Sequence, residues 1–330
     1  MHGRRTFTVA LVAAMAVLAG CGRSDSQPKT DLMIFHADSL LVPFEQIEEK
    51  FEAEHPEIDV IMESSGSNWA AHKVTELARP CDIIAVADYR IIDNMLIPGH
   101  ASWSIRFATN QVVLGYSNSS RYASEITTDN WHEILLRPDV TYGHSDPEQD
   151  PCGYWTLIVW KLADFHYGKL ADGRLISEAL DEACPPGNVR ADLNDLHPLL
   201  NSGVLDYVFM YRSVAQQQHL KYRELPPEIN LGDPAHEQTY HRASVVVKGK
   251  QGTQVTRTGT PIVFAITILD DATHPAEAKK FLQYLLGPVG RKIMKDNGQE
   301  LLQPLLAREG QPVPPAFADA VRYEPPIPTE

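Results

Sequence analysis

"DLMIFHADSLLVPFEQIEEKFEAEHPEIDVIMESSGSNWAAHKVTELA", residues 31–78, alternates short apolar runs with longer amphipathic ones. "LMIFHA" and "IDVIME" have the length and branched or aromatic content of buried strands, whereas "LLVPFEQIEEKFEAEHP" and "NWAAHKVTELA" repeat their apolar residues at helical spacing. "DIIAVA" (82–87) supplies a third strand. This βαβ rhythm predicts an α/β fold built on a parallel sheet. In the first helix Val42, Ile47 and Phe51 lie near one face, and Pro43 falls in the first turn, where a missing N–H does no harm. The acidic run "EQIEEKFEAEHPE" is the solvated face of that helix and needs no partner.

Beyond this unit, "WSIRFATNQVVLGYS" (103–117) forms a long extended segment, and a second series of strands and helices follows to about Val247. A second extended segment, "TGTPIVFAITIL" (258–269), precedes the helices "AEAKKFLQYLLG" and "VGRKIMKDNG". Two long strands flanking a middle domain imply two crossings between lobes. The expected division is residues 31–109 with 258–309 as lobe 1, residues 110–257 as lobe 2, and 310–330 as a proline-rich tail that wraps or frays. In lobes of this kind ligands sit at the carboxyl ends of the strands, where helices begin.

The chain opens on "MHGRRTFTVALVAAMAVLAG", in which Arg4 and Arg5 precede an apolar run too short to cross a bilayer comfortably. Residues 1–20 read as an export signal. The following "LAGC" resembles a bacterial lipobox, which implies cleavage before Cys21 and acylation of its thiol; residues 21–30 are then lipidated cysteine and flexible tether. The expected location is the cell envelope, on the periplasmic side of a membrane. The net charge of −14 becomes −16 once Arg4 and Arg5 leave with the leader, which excludes nucleic acid as a natural partner. A small anion is not excluded, because charge beyond a Debye length of roughly 8 Å is screened.

Three thiols remain after Cys21: Cys81, Cys152 and Cys184. They allow at most one bridge, for which Cys152 to Cys184 is the expectation. There is no CxxC, and the histidines are scattered, with only His236 and His241 near each other.

Three helix starts follow strands with small polar residues in place: Ser39 after "MIFHA", Ser67 after "VIMESSG", and Asp150 to Gly153 ahead of a long apolar helix. Each offers unpaired N–H groups and the positive end of a helix dipole, which suit an anion. A capped start alone proves nothing, since capping suffices to select serine. Cys152 in "DPCGYW" is open to two readings: a nucleophile at a helix start, or a packing residue at a start whose backbone matters.

"IFHADSLLVPFEQIEEKFEAEHPEIDV", "SSGSNWAAHKVTELA", "CDIIAVADY", "FATNQVVLGYS", "DPCGYWTLIVWKLAD", "SGVLDYVFMYRSVAQQ", "ELPPEINLGD" and "KKFLQYLLGPVGRKIMKDNGQ" together resemble the molybdate/tungstate-binding proteins of ABC importers, in their archaeal-type branch, from Leu32 to Gln303. The resemblance implies a two-lobe, type II periplasmic-binding-protein fold and no catalysis or cofactor. The partners it implies are a molybdate or tungstate ligand, an ABC permease and a membrane reached through the lipid anchor, with the protein itself a monomer. It implies that Ser39 and Ser67 bind the oxyanion from one lobe. Asp150, Pro151 and Cys152 close over it from the other, Cys152 through its backbone N–H, and Tyr211 donates its phenol. Asp150 matches an aspartate that serves as a ligand to the metal of the bound metalate.

The chain departs from that pattern at three places. Leu193 in "RADLNDL" aligns with a family glutamate, leaving Asp192 beside it and placing octahedral coordination in doubt. Asp38 stands where the family has glycine, adding a carboxylate beside an anion. Trp155 replaces an arginine on a helix whose neighbours read as core. Asp38 and Asp192 are therefore candidate additions to the site. Another small oxyanion, a Cys152-dependent hydrolase or transferase, and a sensing receptor remain as alternative functions.

Overall fold

The computed structural model describes residues 28–248 and 253–325; the leader and Cys21 lie outside the described residues. In chain order the strands are β1 (Thr30–Ala37), β2 (Ile58–Ser65), β3 (Ile83–Val86), β4 (Ile105–Asn110), β5 (Val112–Tyr116), β6 (Tyr142–Ser145), β7 (Val189–Arg190), β8 (Tyr207–Tyr211), β9 (Lys221–Glu224), β10 (Ser244–Lys248), β11 (Gln254–Thr258), β12 (Ile262–Ile268), β13 (Glu300–Arg308) and β14 (Val321–Glu324). They form a seven-stranded sheet in the order β14-β13-β4-β12-β3-β1-β2, a five-stranded sheet in the order β7-β6-β8-β5-β9, and the hairpin β10-β11.

The expected βαβ start is present. β1 lies parallel between β2 and β3, linked through helix α1 (Leu41–Glu54) and helix α2 (Ser67–Thr75). The buried face of α1 is Phe44, Ile47 and Phe51, spaced i, i+3, i+7, while Val42 stays half-buried, a correction to the expected face. Phe51 packs edge-on against Phe281 at 5.3 Å between ring centroids, tying α1 to helix Pro275–Leu286.

Residues 103–117 are not one strand. The chain leaves the first sheet at Asn110 and enters the second at Val112, with Gln111 alone between them. The return runs from Thr258 at the end of β11 to Ile262 at the start of β12. Near these crossings Asn110 Nδ2 donates to Ser213 Oγ (2.7 Å), on the helix that follows β8, and the Ile262 N–H to the Leu231 carbonyl (2.9 Å), in the loop after β9, so strands of the first sheet are hydrogen-bonded to segments flanking the second. Of the two expectations for the proline-rich tail, wrapping or fraying, the described residues 310–325 show the first. Phe317 is buried beside Trp103 at 6.2 Å, and this anchor delivers β14 to the parallel edge of β13. The expected bridge is also absent: Cys81, Cys152 and Cys184 are free, Cys152 being buried at a helix start while the Cys184 thiol faces the Tyr142 carbonyl at 3.6 Å. No helix among the described residues is long and apolar enough to cross a membrane.

A buried ionic network spans the two lobes. Asp88, just beyond β3, accepts from the Arg90 guanidinium (3.0 Å) and from the Tyr154 hydroxyl (2.7 Å) of helix Pro151–Tyr167. Arg90 in turn donates to the Thr258 carbonyl (3.1 Å) and lies 4.9 Å from the Trp155 ring, while Arg257 lies 5.2 Å from the Tyr154 ring. Trp155 is thus a lid over a cation and not a substitute ligand. Burial alone pushes the Asp88 carboxyl up, but Arg90, Arg257 and the hydrogen bonds outweigh it and hold it below the ordinary carboxylate range. Its contribution to stability is therefore present above the unfolded carboxyl's pKa and lost as pH falls through the folded one. Removing the charge strands two buried guanidiniums, so Asp88→Asn is expected to destabilise the protein by about 3–5 kcal/mol. Urea denaturation at pH 7 checks this; a loss below about 1 kcal/mol would show that the network carries little.

Candidate functional site

β1 and β2 both run toward the second sheet and hand over to helix starts. At the first, Ala37 leads into a single turn, Asp38–Leu40, that opens α1. The Ser39 hydroxyl there is buried with no partner, while its carbonyl accepts from Gln299 Nε2 at 2.8 Å. At the second, Gly66 precedes α2, and Ser67 Oγ accepts the Ala87 N–H at 3.0 Å, leaving its own proton to donate elsewhere.

The segment after β6 closes on this pair from the other lobe. A Cβ at Gly66 would lie 2.6 Å from the Gln149 carbonyl oxygen, so only glycine permits the observed approach. Asn68 Nδ2 donates to the Glu148 carbonyl (3.1 Å) alongside it. Asp150 caps helix Pro151–Tyr167 by accepting the Cys152 N–H (3.1 Å), and Pro151 takes the first helical position, which suits a residue lacking N–H. This modifies the expected role of Cys152, because its amide is engaged by the cap. Its thiol is fully buried, and burial, followed by the nearby Asp150 charge, pushes it well above the ordinary thiol value. A thiolate nucleophile is disfavoured twice over.

Tyr211 ends β8 with its hydroxyl buried and unpartnered; burial, and then Cys152 and Asp150 beside it, hold its pKa well up, so it remains a donor. Ser145, ending β6, lies beside Asp150 and Cys152, whose side chains it hydrogen-bonds. The hydroxyls of Ser39 and Tyr211 are two of several buried polar groups without partners, and they stand out by their positions at a helix start and a strand end. Ser39, Ser67 and Tyr211 are at most 3% exposed, so a ligand reaches them only when the lobes part.

Carboxylates converge on the same place. Asp38 Oδ1 accepts from the Ser64 hydroxyl at 2.5 Å, and Oδ2 is buried without a partner. Burial, with Asp192 and Asp150 adding repulsion, pushes Asp38 up to about 8. Burial likewise pushes Asp150 up to about 6, and Asp192 is raised for the same first reason. Asp192 Oδ1 is engaged by the N–H groups of Asn194 (2.9 Å) and Asp195 (3.3 Å), and Leu193 is buried in the apolar core. Lys73 on α2, only 3% exposed, pairs with Glu63 and donates to Ser65 Oγ, both at 3.0 Å. Outside the sealed groups a cavity of about 390 Å³ opens, lined by Glu63, Ser64, Ser65, Gly66, Trp69, Lys73, Gln149, Ala191 and Asp192. It lies at the junction of the lobes, with Gly66 and Gln149 on its two sides.

Of the expected residues, Asp150 stands against Gly66, which precedes Ser67, and Asp150 and Cys152 lie near Tyr211, while Asp150 and Asp192 are near enough to raise Asp38, the neighbour of Ser39. Ser145, Ser64 and Lys73 escape sequence reading. Ser145 carries one legible signal, its position at a carboxyl strand end before a polar loop. A lysine on an amphipathic helix reads as solvated, and only the partners on β2 show otherwise. Among the described residues no group of three or more His, Cys, Asp or Glu side chains is placed to hold a metal ion.

The profile of the bacterial extracellular solute-binding proteins matches residues 32–300. The molybdate/tungstate-binding protein WtpA of Pyrococcus abyssi is 39% identical over 326 residues, covering 91% of this chain and 94% of that one. An uncharacterized solute-binding protein of Petrotoga mobilis is 48% identical over 275 residues, covering 83% and 84%. Among solved structures, the periplasmic molybdate-binding protein of Azotobacter vinelandii superposes with a TM-score of 0.59 at 19% identity, over 82% of this chain and all of that one. The sulfate-binding protein SubI of Mycobacterium tuberculosis gives 0.57 at 13% identity, over 90% and 94%. These likenesses show the fold, a two-lobe type II periplasmic binding protein.

The raised carboxyl groups give a pH signature. An acid whose folded pKa lies above its unfolded value stabilises the closed arrangement at low pH and loses that contribution as pH rises through the folded pKa. For Asp38 the window runs from the ordinary carboxylate range to about 8. The unliganded wild type is expected to lose melting temperature between pH 5 and pH 8 more steeply than Asp38→Asn; parallel melting curves would contradict this.

Proposed function

The chain belongs to the bacterial extracellular solute-binding proteins, which serve transport and not catalysis, and from that we propose that it captures molybdate or tungstate between its lobes for an ABC importer. The observation that carries the reading is the pair of buried hydroxyls without partners at strand and helix ends, Ser39 and Tyr211, joined by the free proton of Ser67. Donors without acceptors suit a fully deprotonated oxyanion, whereas a ligand bearing its own proton would leave that proton unmatched. The start of α2 adds a partial positive charge, and Lys73 a full one, to offset the carboxylates.

The ligand is held by hydrogen bonds in tetrahedral form. Leu193 lies in the core where the related glutamate would be, and Asp192 is occupied as a turn cap, so neither replaces that second carboxylate. Asp150, Pro151 and Cys152 close the site from the second lobe, and the contacts between Gly66 and Gln149 form only when the lobes meet. A ligand bound to both lobes therefore favours the closed state, which is the form an importer would recognise. Cys21 would anchor the chain as a lipoprotein, and a monomer suits a carrier that presents both lobes to its permease.

Calorimetric titration of the purified protein with tungstate, molybdate, sulfate and phosphate tests the reading. One-to-one binding of the two metalates is expected; binding of sulfate or phosphate alone would assign the cleft to another ligand, and no binding would remove the assignment. Ser39→Ala and Ser67→Ala should each weaken tungstate binding by about 1.5–3 kcal/mol, as hydrogen bonds to charged partners do. Gly66→Ala, which sets a Cβ against the Gln149 carbonyl, should weaken it at least about tenfold by opposing closure. Unchanged affinity in all three variants would place the ligand elsewhere.

A further inference from the structure

Asp38, like Asp150 and Asp192 near it, carries a charge that is wrong for the task. It is 8% exposed, its carboxyl faces Asp150 and Asp192 across the lobe interface, and no cation touches it. Every element packed around it is accounted for: Ser64 on β2 donates to Oδ1, Lys73 on α2 is the nearest positive group, and Asp150 and Asp192 face it from the second lobe. Two residues earlier on β1, His36 is buried with its Nδ1 at the Ala37 carbonyl (2.9 Å), and burial lowers it to about 4, so it offers no charge. An ionised Asp38 here would repel both facing carboxylates and any anion brought between them.

The hydrogen-bond geometry resolves the conflict. Ser64 Oγ engages Oδ1 at 2.5 Å, so Oδ2 is the oxygen left to meet a ligand, and with Ser64 donating to Oδ1 the acid's proton would sit on Oδ2. Oδ2 is buried and has no partner. Resting on the oxyanion reading above, we propose that Asp38 belongs to the binding site as a neutral carboxylic acid whose Oδ2–H donates to an oxygen of the bound oxyanion. The group that looks repulsive in the sequence is then a donor like Ser39 and Tyr211, and the two remaining carboxylates face a neutral neighbour. The dianion itself strengthens the arrangement, since negative charge brought next to Asp38 favours its protonated form.

Two consequences separate this from a carboxylate that ligates the metal. The first is proton linkage. Burial already holds the acid up to about 8 in the empty cleft, so above that pH the ligand must bring a proton with it, and affinity falls. A carboxylate ligand would behave oppositely, with affinity rising as pH rises. The second concerns the amide: Asn at position 38 keeps both an acceptor for Ser64 and an N–H donor for the ligand, whereas Gly keeps neither.

The test is calorimetry of the full-length protein with sodium tungstate at pH 6, 7, 8 and 9, in pairs of buffers of different ionisation enthalpy. For the wild type the expected result is affinity that falls about tenfold per pH unit above pH 8, with close to one proton taken up at pH 9, where Asp150 no longer contributes. Asp38→Asn should bind at pH 7 at least about tenfold more tightly than Asp38→Gly and take up less than about 0.2 proton at pH 9. Affinity in the wild type that is flat or rising from pH 6 to pH 9, or Asn as damaging as Gly in folded variants, overturns the proposal and leaves the oxyanion reading intact. The proton count is read on the wild type alone, so the outcome does not depend on either variant folding. If the wild type binds no tungstate at any pH, the oxyanion reading itself fails, and the role given to Asp38 fails with it.

Discussion

The constraint on which the site depends is the approach of one lobe's backbone to the other at Gly66. With its α-carbon this close to the Gln149 carbonyl and Asp150, no side chain fits between. An unmatched buried hydroxyl costs roughly 1–3 kcal/mol, so an acceptor brought to Ser39 or Tyr211 would offset that cost. Burial is the largest cause of the raised carboxyls of Asp38 and Asp150, and each is raised further by carboxylates near it.

The behaviour of the helix starts follows from what each strand end can offer. After β1 the turn Asp38–Leu40 leaves Ser39 without a helical role, so its hydroxyl is available. After β2 Ser67 is anchored by Ala87 and offers a proton with a defined direction. After β6 the helix start is self-sufficient: Asp150 consumes the Cys152 amide, and Pro151 has none. Two of the three starts therefore present side chains, and the third contributes shape and closure. Helix dipoles and free N–H groups matter less here than their positions in the sequence suggest.

Much of this was legible in the sequence, and the rest was hidden for identifiable reasons. The βαβ start showed because Phe44, Ile47 and Phe51 on α1 repeat at helical spacing between strands of the right length. The break at Gln111 did not, since "FATNQVVLGYS" is uniformly extended in character and pattern alone cannot say that successive strands join different sheets. Ser39, Ser67 and Tyr211 were reachable as strand-end residues and through family likeness. Lys73 was not, because its burial is conferred by Glu63 and Ser65 on a neighbouring strand, not by its own helix. Asp38 could be seen as anomalous from sequence, but its meaning rests on which of its two oxygens Ser64 occupies, and that is a fact of three dimensions.

The interlobe network and the cleft are parts of one mechanical unit. Ala87, whose N–H fixes Ser67, directly precedes Asp88, whose carboxylate holds Tyr154; and Tyr154 lies one turn along the helix that Asp150 begins. A single strand end therefore positions a ligand-facing hydroxyl on one lobe and, through one buried charge, the helix that closes from the other. Arg90 ties the same carboxylate to the Thr258 carbonyl, at the point where the chain returns to the first sheet. The network therefore reaches both the crossing at Thr258 and the closing helix at Tyr154, so any change in the angle between the lobes must either carry the Asp88–Tyr154 hydrogen bond with it or break it.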